Sequence, residues 1–244
     1  MVKEFKGSQK HILSLVKSPK LINSLIKDTK FRLAGMPHLV PTGDEKDGAK
    51  EMSLETYLDQ YPLTDLNPIK KNWWVQKGKR PTWDLLAHLT GDQKSGILLV
   101  EAKANEAERK SFPKFNNYAS DNQASIRKRF EETRIALFGL HRKRIHFDPE
   151  SNSGHYQLIN RLAYSFHLAG MGYHVILLYL GFLNDPDRND KFLNDAHWQR
   201  AIGGCLEGTV SHRFPENVHR IGNAGGTLKM LIRSLDVSKL GAVK

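Results

Sequence analysis

Three side chains in this 244-residue sequence have the types and spacing to do chemistry together: Asp84, Glu101 and Lys103. Glu101 and Lys103 follow the apolar run Ile97 to Val100, which reads as a strand buried on both faces. Residues two apart on a strand share a face, so this carboxylate and this ammonium point the same way. Asp84 lies in the preceding strand candidate, Thr82 to Leu89. A turn centred between Asp92 and Gln93 sets Asp84 opposite Glu101, whereas a loop centred between Gly91 and Gly96 sets it opposite Lys103. Two converging carboxylates offer hard oxygen ligands that suit Mg²⁺, with Mn²⁺ able to substitute. Such an ion acidifies a bound water and offsets charge developing on a phosphate. A neighbouring lysine orients or deprotonates that water, or stabilises the oxyanion.

The text pattern alone carries little. An acid two residues before a lysine also occurs at Glu4/Lys6, Asp28/Lys30, Asp44/Lys46, Asp92/Lys94 and Glu108/Lys110. Only Glu101/Lys103 follows a buried strand with an acid one hairpin earlier, so the surrounding elements decide.

Apolar residues at helical spacing predict two short N-terminal helices broken at Pro19, and the first forty residues sum to +6. Residues 36–50 read as a loop. A short helix is predicted after Ser53, ending before Pro62, with Glu51 and Glu55 on one face. Trp73 to Val75, Thr82 to Leu89 and Ile97 to Val100 make a three-stranded meander over 71–103. Helices are predicted at Asn122 to Leu140 and from Ser153 to Ala169. The clearest strand is Tyr173 to Leu183, and further helices are expected at Asp190 to Ile202 and Ala224 to Leu235. The fold class is α/β, a mixed central sheet of antiparallel meander plus crossover strand, flanked by helices. The chain divides into an N-terminal helical extension (1–50), a core (51–183) and a C-terminal helical elaboration of the same domain (184–244).

The run Pro81-Thr82-Trp83-Asp84, the strand Ile97 to Val100 and then Glu101-Ala102-Lys103 resemble the PD-(D/E)xK nuclease superfamily, the restriction-endonuclease-like fold with core order α-β-β-β-α-β. Thr82 and Trp83 separate the proline from the aspartate. The resemblance spans a little over half the chain. It implies that Asp84 and Glu101 are metal ligands, that the Ala102 carbonyl is a further one, and that Lys103 is the catalytic lysine. It also implies a glutamate on the first core helix, with Glu55 the first candidate and Glu51 the next. A glutamine or basic residue is implied on the helix after the third strand, where Gln123, Arg127 and Gln157 are candidates. By the same analogy the enzyme pairs as a homodimer.

Charge points the same way. Lys and Arg number 37 against 26 Asp and Glu, a net +11 that favours an anionic partner, nucleic acid first and a membrane surface second; the resemblance implies DNA before RNA. Residues 109–144 hold ten basic and three acidic residues, with clusters at Arg127, Lys128, Arg129 and at Arg142, Lys143, Arg144 that can track a phosphate backbone. Trp73 and Trp74, beside several lysines, are expected in the core rather than stacking bases. The single cysteine, Cys205, excludes an internal disulfide and any cysteine-based zinc finger. The longest apolar run, Val175 to Leu183, is half a bilayer span, so no membrane partner is expected and the location is cytoplasmic. Asp185, Asp187 and Asn189 break the calcium-loop pattern at Asp190 and Ala196 and read as a polar turn. Gly222, Gly225 and Gly226 read as a helix-start turn. The expectation is a Mg²⁺-dependent nuclease. The alternative is a non-catalytic nucleic-acid-binding protein that retains a restriction-like fold.

Overall fold

The computed structural model describes residues 5–35, 51–63, 73–75, 80–91, 94–110, 120–141, 155–207, 209–211 and 213–241. Its centre is a six-stranded mixed sheet of β1 (Arg32–Leu33), β4 (Leu85–Gly91), β5 (Lys94–Lys103), β6 (His174–Leu183), β8 (Gly226–Asp236) and β7 (Val218–Ile221), in that spatial order. β1, β4 and β5 are antiparallel, β5, β6 and β8 run parallel, and β7 returns antiparallel at the edge. A separate two-stranded pair joins β2 (Met52–Ser53) to β3 (Thr82–Trp83).

Helices cover both faces, which is why the central strands read as continuous apolar runs. On β5, Ile97 and Leu99 pack into one core with α3 (Leu54–Gln60), α5 (Ser120–His141), α6 (His155–Gly170) and α7 (Asp195–Leu206). Leu98, Val100 and Ala102 pack on the opposite side with α1 (Ser8–Val16) and α2 (Pro19–Leu25). The strand's period of two therefore delivers Glu101 and Lys103 to the α6 face.

Pro19 sits at the first turn of α2, where its missing N–H costs nothing. Ser53 caps α3, its hydroxyl accepting from Thr56 N at 3.2 Å. Gly170 closes α6, and Gly172, at φ +103°, follows just past its end. The Asp185 turn closes on itself, Asp185 Oδ1 accepting from Asp187 N. It also anchors α1, through Lys10–Asp187 at 2.7 Å and a buried His11–Asp185 contact at 3.2 Å.

Several expectations are corrected. Trp73 to Val75 is not a strand. The three residues are buried core, with Trp73 O accepting from Arg129 Nε and the Trp73 ring stacked on His167 at 4.0 Å. The third antiparallel member beside β4 and β5 is β1, so residues 32–33 belong to the sheet rather than to a helical extension. The predicted helix over Ala224 to Leu235 is the long strand β8. Leu228, Leu231, Ile232 and Leu235 fit a helical stripe. Gly226, Leu228 and Met230 fit a strand just as well, and burial alternates along them. A Cβ on Gly226 would lie 2.0 Å from the carbonyl oxygen of Ala169, so this glycine serves close strand approach. Gly222 and Gly225, both at positive φ, turn the β7–β8 hairpin and start no helix. Glu51 precedes β2 and so shares no helical face with Glu55. Among the described residues no helix is long and apolar enough to cross a membrane.

Candidate active site

The β4–β5 ladder pairs Leu85 with Val100 and Gly91 with Lys94. Continued by one residue it sets position 84 opposite 101, the first of the two registers. Asp84 stands between β3 and β4, fixed on one side by the fully buried Trp83 and on the other by the ladder. Its Oδ2 accepts from the Ala102 amide at 2.7 Å. In an extended strand a residue's N–H and C=O face the same neighbour, so the Ala102 carbonyl is directed to the Asp84 side of β5.

Glu101, 1% exposed, is the centre of the cluster. Its Oε1 accepts from Lys103 Nζ at 2.5 Å and from Gln157 Nε2 at 2.7 Å. Its Oε2 accepts from Arg161 Nε at 2.8 Å, with Arg161 Nη2 at 2.7 Å. Gln157 and Arg161 are one helical turn apart on α6 and so share its sheet-facing side. Arg161 Nη2 also donates to the Thr82 carbonyl at 2.7 Å, and the guanidinium lies 4.3 Å from the centre of the Trp83 ring. This one side chain ties β5 to the segment that carries Asp84.

Burying two carboxylates is costly unless they are paired, and the pairing is uneven. Burial pushes the Asp84 carboxyl well above the usual carboxylate range, Glu101 and Glu51 add to the push, and Lys103 only partly counters it. Burial also acts upward on Glu101, but Arg161 and Lys103 outweigh it and hold that carboxyl below its ordinary value. Burial acts downward on Lys103, and Glu101 and Asp84 reverse it, so the ammonium is held above its ordinary value. The oxygens that could face a cation are those of Asp84 and Glu101 and the Ala102 carbonyl, and both Glu101 oxygens are already engaged, by Lys103 and Gln157 on one side and by Arg161 on the other.

These side chains open into a cavity of about 500 Å³ walled by α6, by the Arg80–Thr82 segment and by the start of α1. Glu108, on α4 (Glu106–Lys110), pins that start by accepting from Ser8 N at 3.1 Å. Glu51 lines the cavity and accepts from Thr82 Oγ1 at 2.8 Å. Among the described residues no three His, Cys, Asp or Glu side chains form a metal-ligating group.

The other candidates separate. Gln157 is in the cluster, whereas Gln123 is not among the residues lining the cavity. Glu55 does not line it either: buried on α3, it accepts from Tyr164 Oη at 2.9 Å and lies 4.0 Å from Arg80 Nε. Arg127 and Lys128 are exposed on α5. Arg129 is engaged within the fold, on the Trp73 carbonyl, over the Trp73 ring at 5.3 Å and on Glu132. Arg142, Lys143 and Arg144 lie outside the described residues. Sequence reasoning missed Arg161 and the cavity contribution of Lys6, Ser8 and Gln9. The signal for Arg161 is a single arginine four residues after Gln157 in a helix rich in apolar residues.

Comparison of the chain with protein-family models, with curated proteins and with solved structures finds no match.

Proposed function

We propose that the chain is a Mg²⁺-dependent nuclease, acting on DNA in preference to RNA. The observation that carries the reading is the joining of Asp84, Glu101 and Lys103 on one face at the floor of a cavity, with Glu101 held by Arg161. The succession of α3, β4 and β5, then helices and the parallel strand β6, resembles part of the order of the restriction-endonuclease-like fold, with β3 in the separate pair and the third antiparallel strand, β1, ahead of α3. Asp84, Glu101 and the Ala102 carbonyl are the groups that would hold the ion. When bound, such an ion acidifies a water and offsets charge on the phosphate. Lys103 would stabilise the developing oxyanion. Arg161 and Gln157 keep the Glu101 carboxylate oriented, and Arg127 and Lys128 contribute to holding the polyanion.

Incubation with plasmid, linear duplex, single strands and RNA, with Mg²⁺ and with chelator, tests the reading. Cleavage of DNA with Mg²⁺ and none with chelator is expected. Binding without cleavage, insensitive to metal, would support the non-catalytic alternative. Neutralising Arg127 and Lys128 is expected to lower the slope of log affinity against log salt by about 0.9 for each phosphate no longer neutralised. An unchanged slope moves the binding surface off α5.

A further inference from the structure

The cavity lies between two layers of helix. Asp84, Glu101 and Lys103 form its floor at the end of β5. α6 packs on one face of the sheet and α1 on the other. Both reach the cavity, α6 through Gln157, Asn160 and Arg161, and α1 through Ser8 and Gln9. A third wall is the segment from Arg80 to Thr82. Glu101 and Arg161 are buried, so a phosphate reaches the floor only by passing between these walls.

The walls are anchored. Glu108 accepts from Ser8 N at 3.1 Å and from the Ala104 amide at 2.8 Å, which ties the start of α1 to the end of β5. Gly7 lies so close to this carboxylate that a Cβ there would run into Glu108 Oε1. Lys10 and His11 fix the first turns of α1 on Asp187 and Asp185. On the other side Arg161 joins α6 to Glu101 and to the Thr82 carbonyl. The fold therefore sets the width of the cavity. Its volume, about 500 Å³, suits one drug-sized molecule, and a nucleotide unit is of that size.

A duplex meets these walls badly. A duplex phosphate on the floor would have a groove on either side, and the two helices would have to enter those grooves. A helix with its side chains is about 10–12 Å across. The major groove, about 12 Å wide, admits one, but the minor groove, about 6 Å wide, does not. One of the two helices would collide with the complementary strand. A single strand brings no such partner and enters between α1 and α6. Lys6, exposed at the rim, adds the positive charge with which single-strand channels track a backbone.

We infer that the cavity acts on unpaired nucleotides, in a single strand, a gap or an opened end, and not on intact duplex. The inference rests on the nuclease reading and names the form of DNA that the site takes.

The test compares initial cleavage rates of the full chain with Mg²⁺ on three substrates of one sequence. They are a circular single strand, the relaxed closed duplex circle, and that duplex carrying a single-stranded gap. The single strand is expected to be cut, and the gapped circle to be cut within its gap. The closed duplex is expected to be cut roughly 10-fold more slowly for each base-pair step that must open, the equivalent of ~1.4 kcal/mol per step. Linear single strand and linear duplex repeat the comparison, so an enzyme that needs a free end is tested as well. Equal rates on duplex and single strand overturn the inference and leave the nuclease reading standing. No cleavage of any substrate overturns both.

Discussion

Glu101 on β5 and Glu55 on α3 are removed from water to nearly the same degree, at 1% and 3% exposure, yet their carboxyls are pushed in opposite directions. Burial acts upward on both. At Glu55 it prevails over a backbone bond, the Tyr164 hydroxyl, an arginine 4.0 Å away and the Ser53 hydroxyl. At Glu101 a guanidinium and an ammonium in direct contact reverse it. Burial thus does not decide whether an acid stays charged; the cations that the fold brings into contact do. Only Glu101 opens on a cavity, and only it is built to remain an anion there.

The sharpest way to break this contrast is to remove the guanidinium. Arg161→Met leaves Glu101 buried with Lys103 as its one cation in contact, and breaking a buried pair typically costs about 3–5 kcal/mol. Glu101→Gln is expected to cost a similar amount, because it leaves Arg161 buried and unpaired. The double variant is expected to recover part of the sum, since replacing both charges removes the unpaired partner. Urea unfolding of the three variants measures this. Fully additive losses would mean that the two side chains do not act as a pair.

The second prediction is catalytic. Lys103→Ala truncates a side chain that faces the cavity and leaves the Arg161–Glu101 pair in place, so the fold is expected to survive. Removing one transition-state interaction of this kind costs ~10²–10³ in rate, read by single-turnover cleavage. Cleavage at the wild-type rate would remove Lys103 from the reaction.

Much of this region is legible in the sequence for a physical reason. Strand period two and hairpin symmetry are local, so spacing alone brings Asp84, Glu101 and Lys103 together, and the register that pairs Gly91 with Lys94 is one of the two it allows. Gln157 stands among three candidates, and helix α6 lies nearly where its pattern predicts. Arg161 is not legible, because an arginine on a helix ordinarily faces water, and Glu101, the Thr82 carbonyl and the Trp83 ring keep this one inside. The C-terminal strand escapes a sequence reading because its leucines fit both periods, and contact with β6 decides between them. Glu55 is a candidate on the strength of its helix. Its direction depends on how α3 packs against Tyr164, a contact 109 residues away that spacing cannot reveal.

The smallest expected effect is also the most discriminating. Glu55→Gln makes the same chemical change as Glu101→Gln at a site whose carboxyl burial raises. A raised folded value means that Glu55 contributes stability below its ordinary pKa, near 4.5, and that this contribution is lost as pH rises through the folded value. Glu101 has the opposite sign: its contribution is present above that ordinary value and lost as pH falls through its depressed one. A glutamine at 55 keeps an oxygen for the Tyr164 hydroxyl and never ionises. Glu55→Gln should therefore match wild type near pH 4 and equal or exceed it near pH 8, by about 1 kcal/mol, the size of one hydrogen bond. Urea unfolding at the two pH values reads the difference. If Glu55→Gln instead lost several kcal/mol at pH 8, as Glu101→Gln is expected to, Glu55 would be a paired anion. Arg80 would then be its partner, and the distinction between the two glutamates would fall.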